Sequence, residues 1–204
     1  MIEFFSNAYR DTPTFVIILE AIAFFFGIAS VYFAKRENIL VYPTGLIATT
    51  ITIYLLYRAE YFGEMVLNAY YSLMSIYGWY VWTRKTETQD TLLITRTSTK
   101  EKIIGVGMFL LTIIVIFGVY TFYDYKIETA NYIDIFLSGL FFTAMWFMAL
   151  KKIENWTLWV IGDIIAIPLY AYRGLGMLSL QFIIFTILAI QAYFAWRKIL
   201  SNSR

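Results

Sequence analysis

Seven apolar stretches of about twenty residues follow one another through this chain, and a helix needs roughly 20 residues to cross a bilayer's hydrocarbon core. They cover about 14–34, 39–57, 61–82, 103–123, 132–150, 153–173 and 176–196. A segment in lipid must satisfy its backbone polar groups internally, and a helix does so alone. The spacing therefore predicts an all-α membrane protein with seven transmembrane helices. Composition agrees: 60% of the 204 residues are hydrophobic and 15% charged, whereas soluble domains carry about a quarter charged. Seven spans leave no room for a soluble domain. The start, M-I-E-F-F-S-N-A-Y-R-D, lacks the basic residues and small-residue cleavage site of a secretory leader.

Basic residues set the expected orientation. Lys35, Arg36, Arg84, Lys85, Arg96, Lys100, Lys102, Lys151, Lys152, Arg197, Lys198 and Arg204 fall in the first, third and fifth connections and the C-terminal tail. Arg10, Arg58, Lys126 and Arg173 fall on the other side. Basic residues collect in cytoplasmic loops, so the N-terminus is expected outside and the C-terminus inside. The chain also echoes itself. A-K-R-E-N-I-L-V-Y-P-T-G (34–45) is similar to K-K-I-E-N-W-T-L-W-V-I-G (151–162), and each is followed by a span ending in Tyr-Arg. Both units close on an aromatic, basic end, Y-V-W-T-R-K and Y-F-A-W-R-K, and both open with an acid-bearing span, Glu20 in one and Asp134 in the other. The expectation is a three-helix unit (14–83), a linker helix (103–123) and a second three-helix unit (130–198). This 3+1+3 parallel repeat is a plan of solute carriers, with the site between halves.

The sixth stretch concentrates the chemistry. Trp156, Trp159, Asp163, Ala166 and Tyr170 are spaced by three and four residues, which puts them on one helical face. Pro168 has no N–H and frees the carbonyl of Ile164. An ionisable residue in a span is a functional candidate by default, and no basic residue lies inside any other span. Asp163 beside an aromatic wall suits a small, flat, cationic solute; the plainer reading is an acid hydrogen-bonded between helices. Trp159, one turn from Asp163, is the stacking candidate. Trp82 and Trp196 sit beside basic residues and read as interface-belt residues. Asn68 shares a stripe with Tyr71, Ser72, Ser75 and Trp79. With Gln181, it could bond a substrate amide or hydroxyl, or simply bond a neighbouring helix. Thr49 and Thr52 face the same choice, or bond back to their own helix. Glu20 and Asp134 read as a matched structural pair.

Several classes are excluded. With no cysteine and no histidine, the chain offers no thiolate site, no disulfide and no histidine proton shuttle, so no metal or cofactor is expected and membrane hydrolase chemistry is disfavoured. No G-x-x-x-x-G-K-[ST] run occurs to cradle ATP, and no arginine ladder suggests a voltage sensor. The net charge of +2 is too small to suggest nucleic acid. The lipid bilayer is the expected surrounding.

S-I-Y-G-W-Y-V-W-T-R-K (75–85) and E-N-W-T-L-W-V-I-G-D-I-I-A-I-P-L-Y (154–170) resemble the two signatures of the PnuC family of bacterial vitamin transporters. The resemblance covers essentially the whole chain. It implies a 3+1+3 fold related to the SWEET and semiSWEET sugar carriers. It also implies facilitated diffusion of a vitamin across the bacterial inner membrane, with trapping by a separate cytoplasmic kinase. Nicotinamide riboside is the family's best-known cargo; similar members carry thiamine or riboflavin. Tryptophan and amide residues of the third and sixth spans line the family's site, and the positions matching those motifs are Asn68, Trp79, Asn155, Trp156 and Trp159. Some nicotinamide riboside carriers have Gln at the position of Asn68 and Asn near that of Asp163, which keeps thiamine as an alternative cargo. Acting alone or as a homo-oligomer, such a carrier would take a small cationic vitamin. A membrane enzyme or an accessory subunit is the reading from another class.

Overall fold

The computed structural model describes residues 12–58, 62–84, 92–122, 127–173 and 176–202. They form helices α1 Thr14–Lys35, α2 Val41–Arg58, α3 Phe62–Thr83, α4 Thr99–Phe122, α5 Thr129–Ala149, α6 Glu154–Tyr172 and α7 Gly176–Asn202. Four of them, α1, α4, α5 and α7, are long and apolar enough to cross a membrane by length and composition. The other three carry Thr49, Asn68 and Asp163. No regular strand occurs among the described residues.

Two helix ends differ from expectation. Helix α4 begins at Thr99, ahead of the apolar run, because Ser98 and Glu101 cap it: the Ser98 N–H donates to Glu101 Oε2 at 2.7 Å and the Glu101 N–H donates to Ser98 Oγ at 3.3 Å. That is an S-x-x-E capping box. Helix α7 continues to Asn202 because Arg197, Lys198, Ile199 and Leu200 include no Gly or Pro to stop it. Residues 92–98, expected as plain loop, are instead stitched to the start of α6. The Thr95 N–H donates to the Lys151 carbonyl at 3.1 Å, the Ile153 N–H donates to the Thr95 carbonyl at 3.0 Å, and Ile94 is buried. Lys85 and the segment around it lie outside the described residues.

Helix α1 packs on α2 and α2 on α3; α5 packs on α6 and α6 on α7. The two triplets meet through α1 with α7 and α3 with α5, while α4 packs on α5. Exchanging α1 with α5, α2 with α6 and α3 with α7 leaves the contacts among those six helices unchanged. The turns match as well. Glu37 and Lys151, 114 residues apart, each donate an N–H to the carbonyl three residues back, and Asn38 and Lys152 each donate to the carbonyl five residues back. That is the Schellman pattern at a helix C-terminus. The structural register thus pairs Glu37 with Lys151. The letter echo pairs Glu37 with Glu154 and is three residues out, because the shared Glu-Asn letters occupy different places in the two turns. In the structural register Glu20 pairs with Asp134, Thr49 with Asp163 and Trp82 with Trp196.

Two buried clusters hold the bundle. One lies at the end carrying the α1–α2 and α5–α6 turns, called here the basic end. It joins Ala34, Val41, Tyr42, Trp82, Met148, Ile153, Trp156 and Trp196. Trp82 and Trp196 are therefore not belt residues: they are 5% and 0% exposed. Each indole N–H is anchored, Trp82 Nε1 donating to the Ala149 carbonyl and Trp196 Nε1 to the Ala34 carbonyl, both at 3.1 Å. The second cluster, Leu137, Leu140, Phe141, Ala166 and Leu169, lies among α5 and α6. Asp134 pairs with Arg173, tying the start of α5 to the end of α6, which fits the structural role expected of it.

Membrane helices associate by close packing rather than by exclusion of water, so glycines at contacts matter. A Cβ at Gly78 would strike the Tyr42 ring, whereas one at Gly107 meets nothing within 4 Å. Overpacking costs roughly 1–3 kcal/mol. Gly78→Ala should therefore lower the unfolding temperature in detergent, and Gly107→Ala should leave it unchanged or raise it; equal effects would show that the Tyr42–Gly78 contact is loose.

Candidate substrate site

Asp163 is 1% exposed, and its Oδ1 is buried with no hydrogen-bond partner. Its neighbours on the same face of α6 are Ala166, fully buried, and Tyr170. The ion pairs of the described residues lie elsewhere: Lys151 with Glu37, Lys152 with Glu101 and Arg173 with Asp134. A carboxylate taken out of water is costly unless something compensates it. No protein cation among those pairs does so here.

Beside it stands a ladder of rings. Trp159 stacks on Phe141 at 5.2 Å between centroids and 24° between planes. Phe141 stacks on Phe182 at 6.1 Å and 8°, and Phe182 on Tyr170 at 5.2 Å and 1°. The rungs come from α5, α6 and α7. Gly162, next to Asp163, makes the ladder possible, because a Cβ there would strike the Phe141 ring. Tyr71 of α3 reaches in from the other triplet, its ring 6.3 Å from Trp159. Trp159 Nε1 is buried without a hydrogen-bond partner. A buried acceptor and a buried donor, both open, thus lie on one face of α6 against aromatic planes. That arrangement can bind a flat cationic ring carrying a polar substituent.

The remaining expected site residues are scattered. Trp156 belongs to the basic-end cluster, edge-on to Trp196 at 5.4 Å, about two turns from Asp163. Asn155 is fully buried beside it; its Nδ2 donates to the Lys152 carbonyl at 2.6 Å, and its Oδ1 is unpaired. Thr49 is already engaged, bonding back to the Gly45 carbonyl at 3.0 Å and meeting Ser72 Oγ at 2.7 Å. Thr52 likewise bonds back to Ala48. Asn68 is half-buried on α3, and its carbonyl accepts from Ser72 Oγ. Gln181 lies against α1, its Nε2 3.2 Å from where a Cβ on Gly27 would stand. Trp79 is 41% exposed and joins neither cluster. Pro168 stands inside α6 without ending it. Sequence reasoning missed Phe141 and Phe182; the Gly162-Asp163 pair was the available signal, since a glycine before a buried acid marks a close approach.

Asp163→Asn keeps the side chain's volume and removes its charge. No protein cation loses a partner, so thermal unfolding should stay within about 1 kcal/mol of the parent or improve. A loss of several kcal/mol would make Asp163 a structural acid.

Residues 17–198 match the family model described as Nicotinamide mononucleotide transporter. The nicotinamide riboside transporter PnuC of Escherichia coli (strain K12) is 26% identical over 201 residues, covering 87% of this chain and 84% of that protein. The protein of that name from Neisseria mucosa is 24% identical over 201 residues, covering 90% and 73%. The crystal structure of the vitamin B3 transporter PnuC has the same fold, with a TM-score of 0.73, 21% identity, and coverage of 97% of this chain and 87% of that one. With the family model matched across nearly the whole bundle, this chain belongs to the nicotinamide mononucleotide transporter family, the PnuC family of membrane transporters.

Proposed function

We propose that this chain carries nicotinamide riboside across the bacterial plasma membrane by facilitated diffusion. The observation that carries this reading is Asp163: a buried carboxylate with an open oxygen, beside stacked rings and away from the protein's ion pairs. Nicotinamide riboside offers what such a site lacks. Its pyridinium is a flat cation, and its amide can meet the Trp159 N–H. Cation–aromatic contact contributes about 0.5–2 kcal/mol, more where water is excluded. The mononucleotide named in the family's description adds a phosphate, and a carboxylate without a basic neighbour repels it. The riboside named in the relatives is therefore the better cargo for this site.

The two triplets act as a parallel repeat, α1–α3 and α5–α7, rocking about a site between them with α4 as the linker. The basic end faces the cytoplasm, following the charge bias, which puts the N-terminus outside. The chain has no P-loop motif to couple transport to ATP. A cytoplasmic kinase that phosphorylates the riboside supplies the gradient, since the charged product no longer fits the site. Thiamine is the second reading, favoured by the same acid, because its thiazolium is also a flat cation. Riboflavin is neutral and leaves Asp163 unanswered.

Purified protein in liposomes should take up nicotinamide riboside and exclude the mononucleotide. Asp163→Asn should cut riboside uptake by roughly tenfold or more, the effect of losing about 1.4 kcal/mol. Uptake of a neutral analogue with an uncharged ring should change far less. Equal uptake of both by the variant would remove Asp163 from the recognition; faster uptake of thiamine than riboside would reassign the cargo. An accessory subunit would move nothing alone and would co-purify with partners.

A further inference from the structure

The turns joining α1 to α2 and α5 to α6 each put a non-glycine residue in the left-handed region, Glu37 at φ 53° and Lys151 at φ 50°. Side chains with a Cβ seldom adopt it, and glycine is the usual choice at this place in a helix end. Here the two matched positions carry opposite charges and meet. Lys151 Nζ lies 3.1 Å from Glu37 Oε2, and Lys151 is 5% exposed. The same ammonium sits 4.5 Å above the centroid of the Trp82 ring.

Around that pair both indole N–H bonds run from one triplet to the other. Trp82 of α3 donates to Ala149 at the end of α5, and Trp196 of α7 donates to Ala34 in α1. Four rings continue across the bundle, Tyr42 to Trp82 at 5.1 Å, Trp82 to Trp196 at 6.3 Å and Trp196 to Trp156 at 5.4 Å. The row is symmetric in the structural register, with Trp82 and Trp196 central and Tyr42 and Trp156 flanking.

We infer that Glu37, Lys151, Trp82 and Trp196 form a latch that closes the cytoplasmic end of the pathway and parts to release cargo. The inference rests on the transport reading above. Two features separate a latch from a permanent strut. With Lys151 buried and Glu37 part-exposed, the ion pair is a poor source of stability, and an apolar pair of equal size holds a closed joint at least as well; an ion pair suits a joint that opens to water. In addition, Tyr42 Oη and Trp156 Nε1, at matched positions, are buried without hydrogen-bond partners. Closure leaves both unsatisfied, and parting of the row gives them water or cargo to bond.

The chain contains no cysteine, so introduced thiols are unique. Glu37→Cys with Lys151→Cys, joined by a short bifunctional methanethiosulfonate, should lose riboside uptake in liposomes and regain it on reduction; uptake unaffected by the link would overturn the latch. No uptake by the parent protein would instead overturn the transport reading, and a second measurement then still tests the latch. Thr49→Cys serves as a lone reporter, labelled from the cytoplasmic side by a membrane-impermeant maleimide. Labelling should rise by about tenfold when Glu37 and Lys151 are both replaced by Ala, and fall back in the charge-swapped Glu37→Lys, Lys151→Glu protein. Equal labelling of all three would overturn the latch.

Discussion

A charge in a low-dielectric interior needs an answer, and the bundle divides its charges according to whether that answer is the protein's own. Glu37, Glu101 and Asp134 each have a lysine or arginine at contact distance, and each stands at or near a helix end. Asp163, in the middle of α6, has none of these partners. Desolvation costs several kcal/mol per ion even after relaxation, so an acid as deeply buried as Asp163 without a cation departs from the pairing seen at Glu37, Glu101 and Asp134. On the proposed reading the missing cation is the cargo's.

The frame is symmetric and the site is not. Helix contacts, turn hydrogen bonds and the tryptophan anchors repeat across the two triplets. At the level of Asp163 the correspondence stops. Its counterpart Thr49 is satisfied within its own triplet by Gly45 and Ser72, and the ladder beside Asp163 is built from α5, α6 and α7 alone. A symmetric frame lets two halves rock against each other with matched contacts at their joints. From the other half, the Tyr71 ring comes within 6.3 Å of Trp159.

The legible part of this structure was what periodicity and length control. The apolar runs placed all seven helices, and the three-and-four spacing put Asp163, Ala166 and Tyr170 on one buried face. The ring that Trp159 stacks on was invisible: Phe141 lies on another helix, and nothing along the chain says which of the α5 phenylalanines will face Gly162. Trp82 and Trp196 were misread for a physical reason. A tryptophan beside arginines at the end of a span looks the same whether it faces headgroups or another helix's terminal carbonyl. The letter echo and the matched turns differ by three residues in register, because a turn is defined by its hydrogen bonds and backbone angles. Glu37 and Lys151 share those while sharing no letter.

If transport is facilitated diffusion, as proposed, a deep well at the centre is a handicap, since cargo bound too tightly on entry is released too slowly. On the proposed reading the site balances two large terms against each other: the cargo cation would lose its water, and Asp163 would gain a counter-charge. Ring contacts add a modest and geometrically selective increment. Asp163 Oδ1 at mid-bundle and Tyr42 Oη and Trp156 Nε1 at the basic end are buried without hydrogen-bond partners. One helix, α6, carries Trp156 at one level and Asp163 at the other, so on the proposed reading a shift of α6 would move the site and the basic end together.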